Sequence, residues 1–252
     1  MNGLLKISTA NINGKTVADN IYFTPPFKVY SPFYRGNTAE FISMSASAGI
    51  LAGDNHEINL NIGNNCNVRF TDQGYQKLFN TGNSSSSQKT IIKVGEMAFL
   101  RYRPHPIMTF CGCVHKADSV VDICKNSQIV YSEIYCCGRT ASGEEFSLSE
   151  FRSRTEIRIN GMSDFIDNTL IRPESLQIKH LGFFEKYTHS GFMYIYSDRI
   201  SKSIFDTLDD QRCEIGISET EKGFVIRVLA DSAEKIALIF DKIEESVRQK
   251  QF

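Results

Sequence analysis

The chain has no tryptophan and only six prolines in 252 residues. It also has no window approaching the roughly 18 apolar residues of a membrane span. Its opening, MNGLLKISTANING, lacks a basic segment followed by a long apolar one, so neither secretion nor membrane insertion is expected and a cytoplasmic location is. Neither sign of charge dominates: 28 Lys and Arg face 29 Asp and Glu, for a formal net charge of −1. That balance gives no reason to expect nucleic acid or an acidic membrane as partner. The seven cysteines are odd in number and irregularly spaced, which argues against a disulfide framework and for reduced thiols filling a core. There is no GxxxxGK(S/T) phosphate loop, no HExxH, no G-x-S-x-G elbow and no Rossmann glycine run.

What is present is alternation. INLNIGNNCNVRF (58–70), TIIKVGEMAFLRY (90–102) and VVDICKNSQIVYSEI (120–134) each read as a strand, a short polar turn and a second strand. In the first, Ile58, Leu60 and Ile62 share one face, and Cys66, Val68 and Phe70 resume the period of two after Gly63-Asn64-Asn65. The turns at 63, 95 and 125 lie 32 and 30 residues apart. Spacing of this kind predicts a mainly β fold of stacked, solenoid-like layers, each covering the apolar face of the next. An antiparallel sandwich is the competing arrangement.

From about residue 190 the pattern changes to a β-α-β-β-α order: GFMYIYS, a helix over DRISKSIFDTLDDQ, EIGIS, FVIRVLA and a last helix over SAEKIALIFDKIEESVRQ. Ser232 is placed to cap that helix, with Ile236, Ile239, Phe240, Ile243 and Val247 as its apolar stripe. The expected division is therefore a β-stack over 1–189 and a C-terminal α+β lobe with two helices over 190–252.

Each repeat is followed by an unusual loop: TDQGYQK (71–77), RPHPIMTF (103–110) and CCGRTASGEE (136–145). In a stack such loops emerge on one edge. Ala48-Gly49-Ile50-Leu51-Ala52-Gly53-Asp54 resembles the Gly-Gly-x-x-Gly-Gly-Asp signature of the urease accessory protein UreD/UreH family. Gly138-Arg139-Thr140-Ala141-Ser142-Gly143-Glu144 is similar to that family's GR-x-x-x-GE, Arg154-Thr155-Glu156 to its R-x-E, and YFTPPFK (22–28) with SPFY (31–34) to the N-terminal region of the UreH branch. Alanines at 48 and 52 replace two of the family's glycines, and its Thr-Thr-Gln and Thr-Lys survive only as Thr71, Gln73 and Lys77.

The resemblance implies a non-catalytic scaffold that binds UreF directly and, through it, the GTPase UreG. Such a scaffold helps deliver nickel to apo-urease, with an internal passage for the metal in transit and no permanently bound cofactor. It further implies a dimer of heterocomplexes. A β-helix enzyme acting on carbohydrate through paired acids such as Asp54 and Glu144 is the alternative.

Asp54, Glu144 and Glu156 are the candidate nickel-passage acids, because hard carboxylates hold a divalent ion weakly enough to release it. The structural alternatives are a turn carboxylate bonding backbone N–H groups at Asp54 and surface ion pairs with Arg139 or Arg154 for the other two. Cys111, Cys113 and His115 would share one face if C-G-C-V-H were a strand, giving three N/S donors for Ni²⁺ or Zn²⁺; core-filling cysteine is the alternative. Tyr22, Phe23, Phe27, Tyr30, Phe33 and Tyr34, with the planar fork of Arg139, are candidates for a partner-facing surface. His105, between two prolines, is expected extended at a loop tip.

Overall fold

The computed structural model describes residues 1–197, 200, 205 and 213–249. In chain order the strands are β1 (Asn2–Ile12), β2 (Lys15–Phe23), β3 (Phe27–Val29), β4 (Phe33–Arg35), β5 (Thr38–Ser45), β6 (Asn55–Ile62), β7 (Asn67–Asp72), β8 (Gln76–Leu78) and β9 (Ser86–Val94). They continue as β10 (Phe99–Tyr102), β11 (Ile107–Thr109), β12 (Val114–Ile123), β13 (Gln128–Cys136), β14 (Glu150–Ile159), β15 (Met162–Ile171), β16 (His189–Tyr196), β17 (Glu214–Glu219) and β18 (Phe224–Ala230). Helix α1 (Ala233–Gln249) follows.

The three alternating repeats are β6-turn-β7, β9-turn-β10 and β12-turn-β13. Their first strands lie side by side and parallel in a seven-stranded sheet ordered β15-β14-β12-β9-β6-β1-β2. Their second strands do the same in an eleven-stranded sheet. The fold is thus mainly β and solenoid-like, as the spacing of the repeats predicts, with antiparallel strands added at the ends of the stack. The turns stack as well. The Gly95 N–H donates to Ile62 O at 2.8 Å and the Glu96 N–H to Asn64 Oδ1 at 2.8 Å. A Cβ at Gly95 would lie 2.4 Å from that same Asn64 oxygen, so a larger residue would push aside the side chain that bonds Glu96.

The two sheets face each other across a core that includes Leu60, Ile92, Val121 and Ile157 from the smaller one and Phe41, Phe70, Leu100 and Ile129 from the larger. The strands after residue 189 extend the larger sheet: β16 pairs with β13, β18 with β16 and β17 with β18, all antiparallel. Helix α1 lays Ile236, Ile239, Phe240, Ile243 and Val247 on the outer face of this extension. The Ser232 hydroxyl accepts the Lys235 N–H at 3.4 Å, as its N-cap position predicts. Arg101 reaches Glu244 at 2.6 Å and Arg103 reaches Asp241 at 2.6 Å, clamping the helix to the stack. Among the described residues α1 is the one α-helix, so the two-helix expectation is reduced to one there. The other expected helix, at 198–211, lies outside the described residues apart from two isolated positions. No helix among the described residues is long and apolar enough to cross a membrane.

Candidate functional site

Strand register sorts the interior into rows. On the smaller sheet Ile62, Val94, Ile123 and Ile159 form one inward row and Leu60, Ile92, Val121 and Ile157 the next. Two residues nearer the strand starts the row is Ile58, Thr90, Ser119 and Thr155, and beyond it His56, Gln88, Ala117 and Ser153. The larger sheet answers in kind. Val68, Leu100 and Ile129 lie level, then Phe70, Tyr102 and Tyr131, and the alternation carries on to Asp72 and Glu133. One end of the interior is therefore dry and the other polar.

The aromatic row is a stacked ladder, with Phe70 and Tyr102 centroids 5.3 Å apart and those of Tyr102 and Tyr131 4.9 Å apart. Their hydroxyls cross the gap, Tyr102 bonding Thr90 and Tyr131 bonding Ser119. Tyr131 also donates to Glu133. On one side of this ladder a cavity of about 80 Å³ is lined by Ser43, His56, Asp72 and Gln76 among others. On the other side a cavity of about 540 Å³ takes in Glu133, Ser153, Asp167 and Arg227.

The acids at the two ends share an unusual electrostatic state. Burial pushes the Asp72 carboxyl up to about 7, against hydrogen bonds from Ser43 and the His105 backbone N–H. Burial, with the nearby Asp167 adding to it, pushes Glu133 up to about 7 against the Tyr131 hydrogen bond. Tyr102 lies within electrostatic reach of both acids. Carboxylates poised this way exchange protons or cations near neutral pH instead of holding a fixed charge. His56 and His115 are buried imidazoles whose Nε2 atoms have no hydrogen-bond partner. Desolvation lowers both pKa values, that of His115 to about 4.

The three candidate passage acids sit elsewhere, and none lines the two cavities just described. Asp54 closes the turn before β6: its Oδ1 accepts the Met1 ammonium at 2.5 Å and its Oδ2 the Leu51 N–H at 2.9 Å. Burial raises its pKa, but these bonds outweigh that and leave it below the usual value. Glu144 accepts Arg139 Nε at 2.6 Å and the Cys111 N–H at 2.8 Å, pinning loop 139–144 to the turn at 110–112. A Cβ on Gly138, at φ +152°, would approach the Glu144 carbonyl oxygen to 2.4 Å, so glycine is needed for this loop to fold back. Glu156 faces outward between Arg158 at 2.8 Å and Arg154 at 2.9 Å, which hold it down to about 2. Thus Asp54 and Glu144 are each tied into a separate turn and line no common groove among these cavities.

The C-G-C-V-H segment is a turn leading into a strand, with Gly112 at φ +70° and β12 beginning only at Val114. Cys111 is exposed, Cys113 is buried with its thiol pushed up to about 12 by desolvation, and His115 Nδ1 lies 2.8 Å from the Ser86 hydroxyl. The shared face assumed for a strand does not form, and among the described residues no three His, Cys, Asp or Glu side chains make a metal-holding group. Of the aromatic candidates, Tyr22, Phe23, Tyr30, Phe33 and Tyr34 are exposed, whereas Phe27 is buried with its ring 5.1 Å from that of His56. The Arg139 guanidinium lies 4.7 Å from the Phe110 ring centre.

The loops 71–77, 103–110 and 136–145 do come together, because β11 pairs in parallel with both β8 and the end of β13. The interior acids were readable too: after Val68 and Phe70 the next inward position is Asp72, and after Ile129 and Tyr131 it is Glu133. An acid at a core-facing step of a two-residue period was the signal.

The sequence matches the UreD urease accessory protein family over residues 1–252. It is 34% identical over 235 residues to a urease accessory protein UreH of Helicobacter hepaticus, covering 92% of this chain and 93% of the relative. It is 33% identical over 239 residues to a urease accessory protein UreD of Acetivibrio thermocellus, covering 92% and 91%. A UreH of Helicobacter pylori strain HPAG1 is 30% identical over 241 residues, covering 94% and 91%.

Proposed function

Because this chain belongs to the UreD family of urease accessory proteins, we propose that it is a non-catalytic cytoplasmic scaffold that binds UreF. Through UreF it engages the GTPase UreG, and together they pass nickel to apo-urease. The observation that carries this reading is the polar end of the interior, where two desolvated carboxylates stand on either side of a ladder of phenols and hydroxyls. Nickel is the cargo here. Oxygen donors suit it, because carboxylate, phenol and hydroxyl groups bind a divalent ion less tightly than a set of thiolates does and so allow it to leave. Asp72 and Glu133 take the role expected of Asp54, Glu144 and Glu156, which their arginine, backbone and N-terminal partners engage instead. Each interior acid titrates near neutral pH, so it would give up a proton as the ion arrives and take one back as the ion departs.

The exposed rings of Tyr22, Phe23, Phe33 and Tyr34 are the surface proposed for UreF, with Phe27 serving as support beneath it. The test has two arms. Copurification from cells making UreF and UreG should recover all three chains. Asp72→Asn and Glu133→Gln should leave that recovery intact while lowering nickel-dependent urease activation at least several-fold. Full activation by the doubly substituted chain would remove the passage from this reading. Loss of UreF from the wild-type preparation would remove the scaffold.

A further inference from the structure

The stack ends in two unpaired strand edges at one place. β15 closes the order of the smaller sheet and β17 that of the larger, so among the described residues each is bonded to a neighbouring strand along one side only. Between them lie the 540 Å³ cavity and an adjoining cleft of about 730 Å³, both open to solvent. Asp167 and Thr169 of β15 and Gly216 of β17 line both spaces, which therefore form one groove running between the edges. Residues 165–170 of β15 all line the cleft, a length of about 20 Å in extended chain.

Proteins blunt such edges with lysine, proline, a bulge or a covering segment. Residues 165–170, FIDNTL, contain neither lysine nor proline, and the register shift against β14 lies before them, between the Ser163 and Phe165 pairs. The outward side chains here are apolar at both ends of the stretch: Ile166 is 49% exposed and Leu170 39%. Phe183, from the loop after β15, adds a ring that is 38% exposed. The rest of the groove is acidic. Glu133, Asp167, Glu185, Glu214 and Glu219 line it, and among the described residues that do so the one base is Arg227, which Asp167 already holds.

A strand added beside β15 would meet these two chemistries on opposite faces. Side chains level with Ile166 and Leu170 would lie on aliphatic surface, while those level with Asp167 and Thr169, which register with the inward Thr155 and Ser153, would turn towards the acids. We propose that the groove between β15 and β17 is a docking site for an extended segment of a partner protein in which aliphatic and basic residues alternate, and that this segment adds a strand to β15. Main-chain hydrogen bonds to the free edge supply affinity, and the alternation supplies specificity. The aromatic surface proposed for UreF is at the opposite end of the stack, on β2 and around β4. This second surface is separate from it and does not depend on nickel crossing the interior.

The test uses the full-length chain and a blocked heptapeptide of alternating valine and lysine, with a valine–glutamate heptapeptide as control, read by titration and by amide hydrogen exchange. The valine–lysine peptide should slow exchange at alternate amides within residues 165–170, those not already bonded to β14, and leave the amides of β2 unchanged. The valine–glutamate peptide should protect none of them. Glu214→Lys, checked for unchanged thermal melting, should weaken the valine–lysine peptide about fivefold, the change expected when one exposed ion pair is lost. Ile166→Asn should weaken both the binding and the protection. No binding at millimolar peptide, equal binding of the two peptides, or protection confined to residues 214–219 overturns the proposal. Slowed exchange at 165–170 that grows with chain concentration and needs no peptide would make a second copy the occupant, and overturns it as well.

Discussion

The two ends of the same interior strands obey opposite rules. Leu60, Ile92, Val121 and Ile157 meet Val68, Leu100 and Ile129 in a dry layer. A few residues back along the same strands, Thr90, Ser119 and Ser153 face Tyr102, Tyr131 and Glu133. The fold permits this because every repeat contributes one residue to each row, so a whole row can be apolar and the next one polar. Stability is concentrated at one end, leaving the other free to hold desolvated acids. A polar interior is costly, and here the cost is limited by hydrogen bonds between phenol and hydroxyl and by acids that hold their protons to a higher pH than exposed carboxylates do.

That contrast is broken most forcefully at its dry end. Leu60→Ala, at a position 2% exposed, should lower unfolding free energy by about 2 to 5 kcal/mol in urea titrations. A loss below about 1 kcal/mol would mean that the apolar row is not the main source of stability. The next largest effect belongs to Glu133 and depends on pH. Its folded pKa is raised from 4.5 to about 7, so as pH rises the unfolded chain loses this proton first. The contribution of Glu133 to stability is most favourable below about pH 4.5, falls between about 4.5 and 7, and is level above that. Glu133→Gln should remove this fall and leave the variant about 1 to 3 kcal/mol more stable than wild type at pH 8, with little difference near pH 4. A variant less stable than wild type at pH 8 would show that the carboxylate is solvated or paired there.

The smallest effect is expected outside the sheets. Glu156 has its pKa lowered to about 2 by Arg158 and Arg154, so its contribution is present above about pH 4.5 and is lost as pH falls through about 2. Both arginines are more than a third exposed, so Glu156→Gln should cost no more than about 1 kcal/mol at pH 7. A larger loss would place Glu156 among the structural determinants of the stack, and nickel-dependent urease activation should be unchanged by the same substitution.

Much of the architecture was legible in the residues. The period of two, the turns at 63, 95 and 125, and the grouping of three loops on one edge all reappear as stacked parallel strands with β8, β11 and β13 adjacent. The helical stripe of α1 and its Ser232 cap were equally plain. The site was less so. Motif resemblance led to Asp54, Glu144 and Glu156, and the first two prove to fasten turns while the third fastens an outer ladder of charge. The turn at Gly112 removed the common face from Cys111, Cys113 and His115, because alternation says which way a side chain points only where the backbone is extended.

By itself the sequence determined which residues point inward and that repeats of about 30 residues must cover one another, because alternation and turn spacing are local properties of the chain. Only the tertiary structure decided which carboxylates are shifted and which charges meet across the two sheets. Glu133 becomes a near-neutral acid because an opposing sheet and Asp167 desolvate and crowd it. The Arg227–Asp167 contact joins residues 60 positions apart on different sheets. Desolvation and charge pairing depend on what arrives from elsewhere in the chain, and no local pattern encodes that arrival.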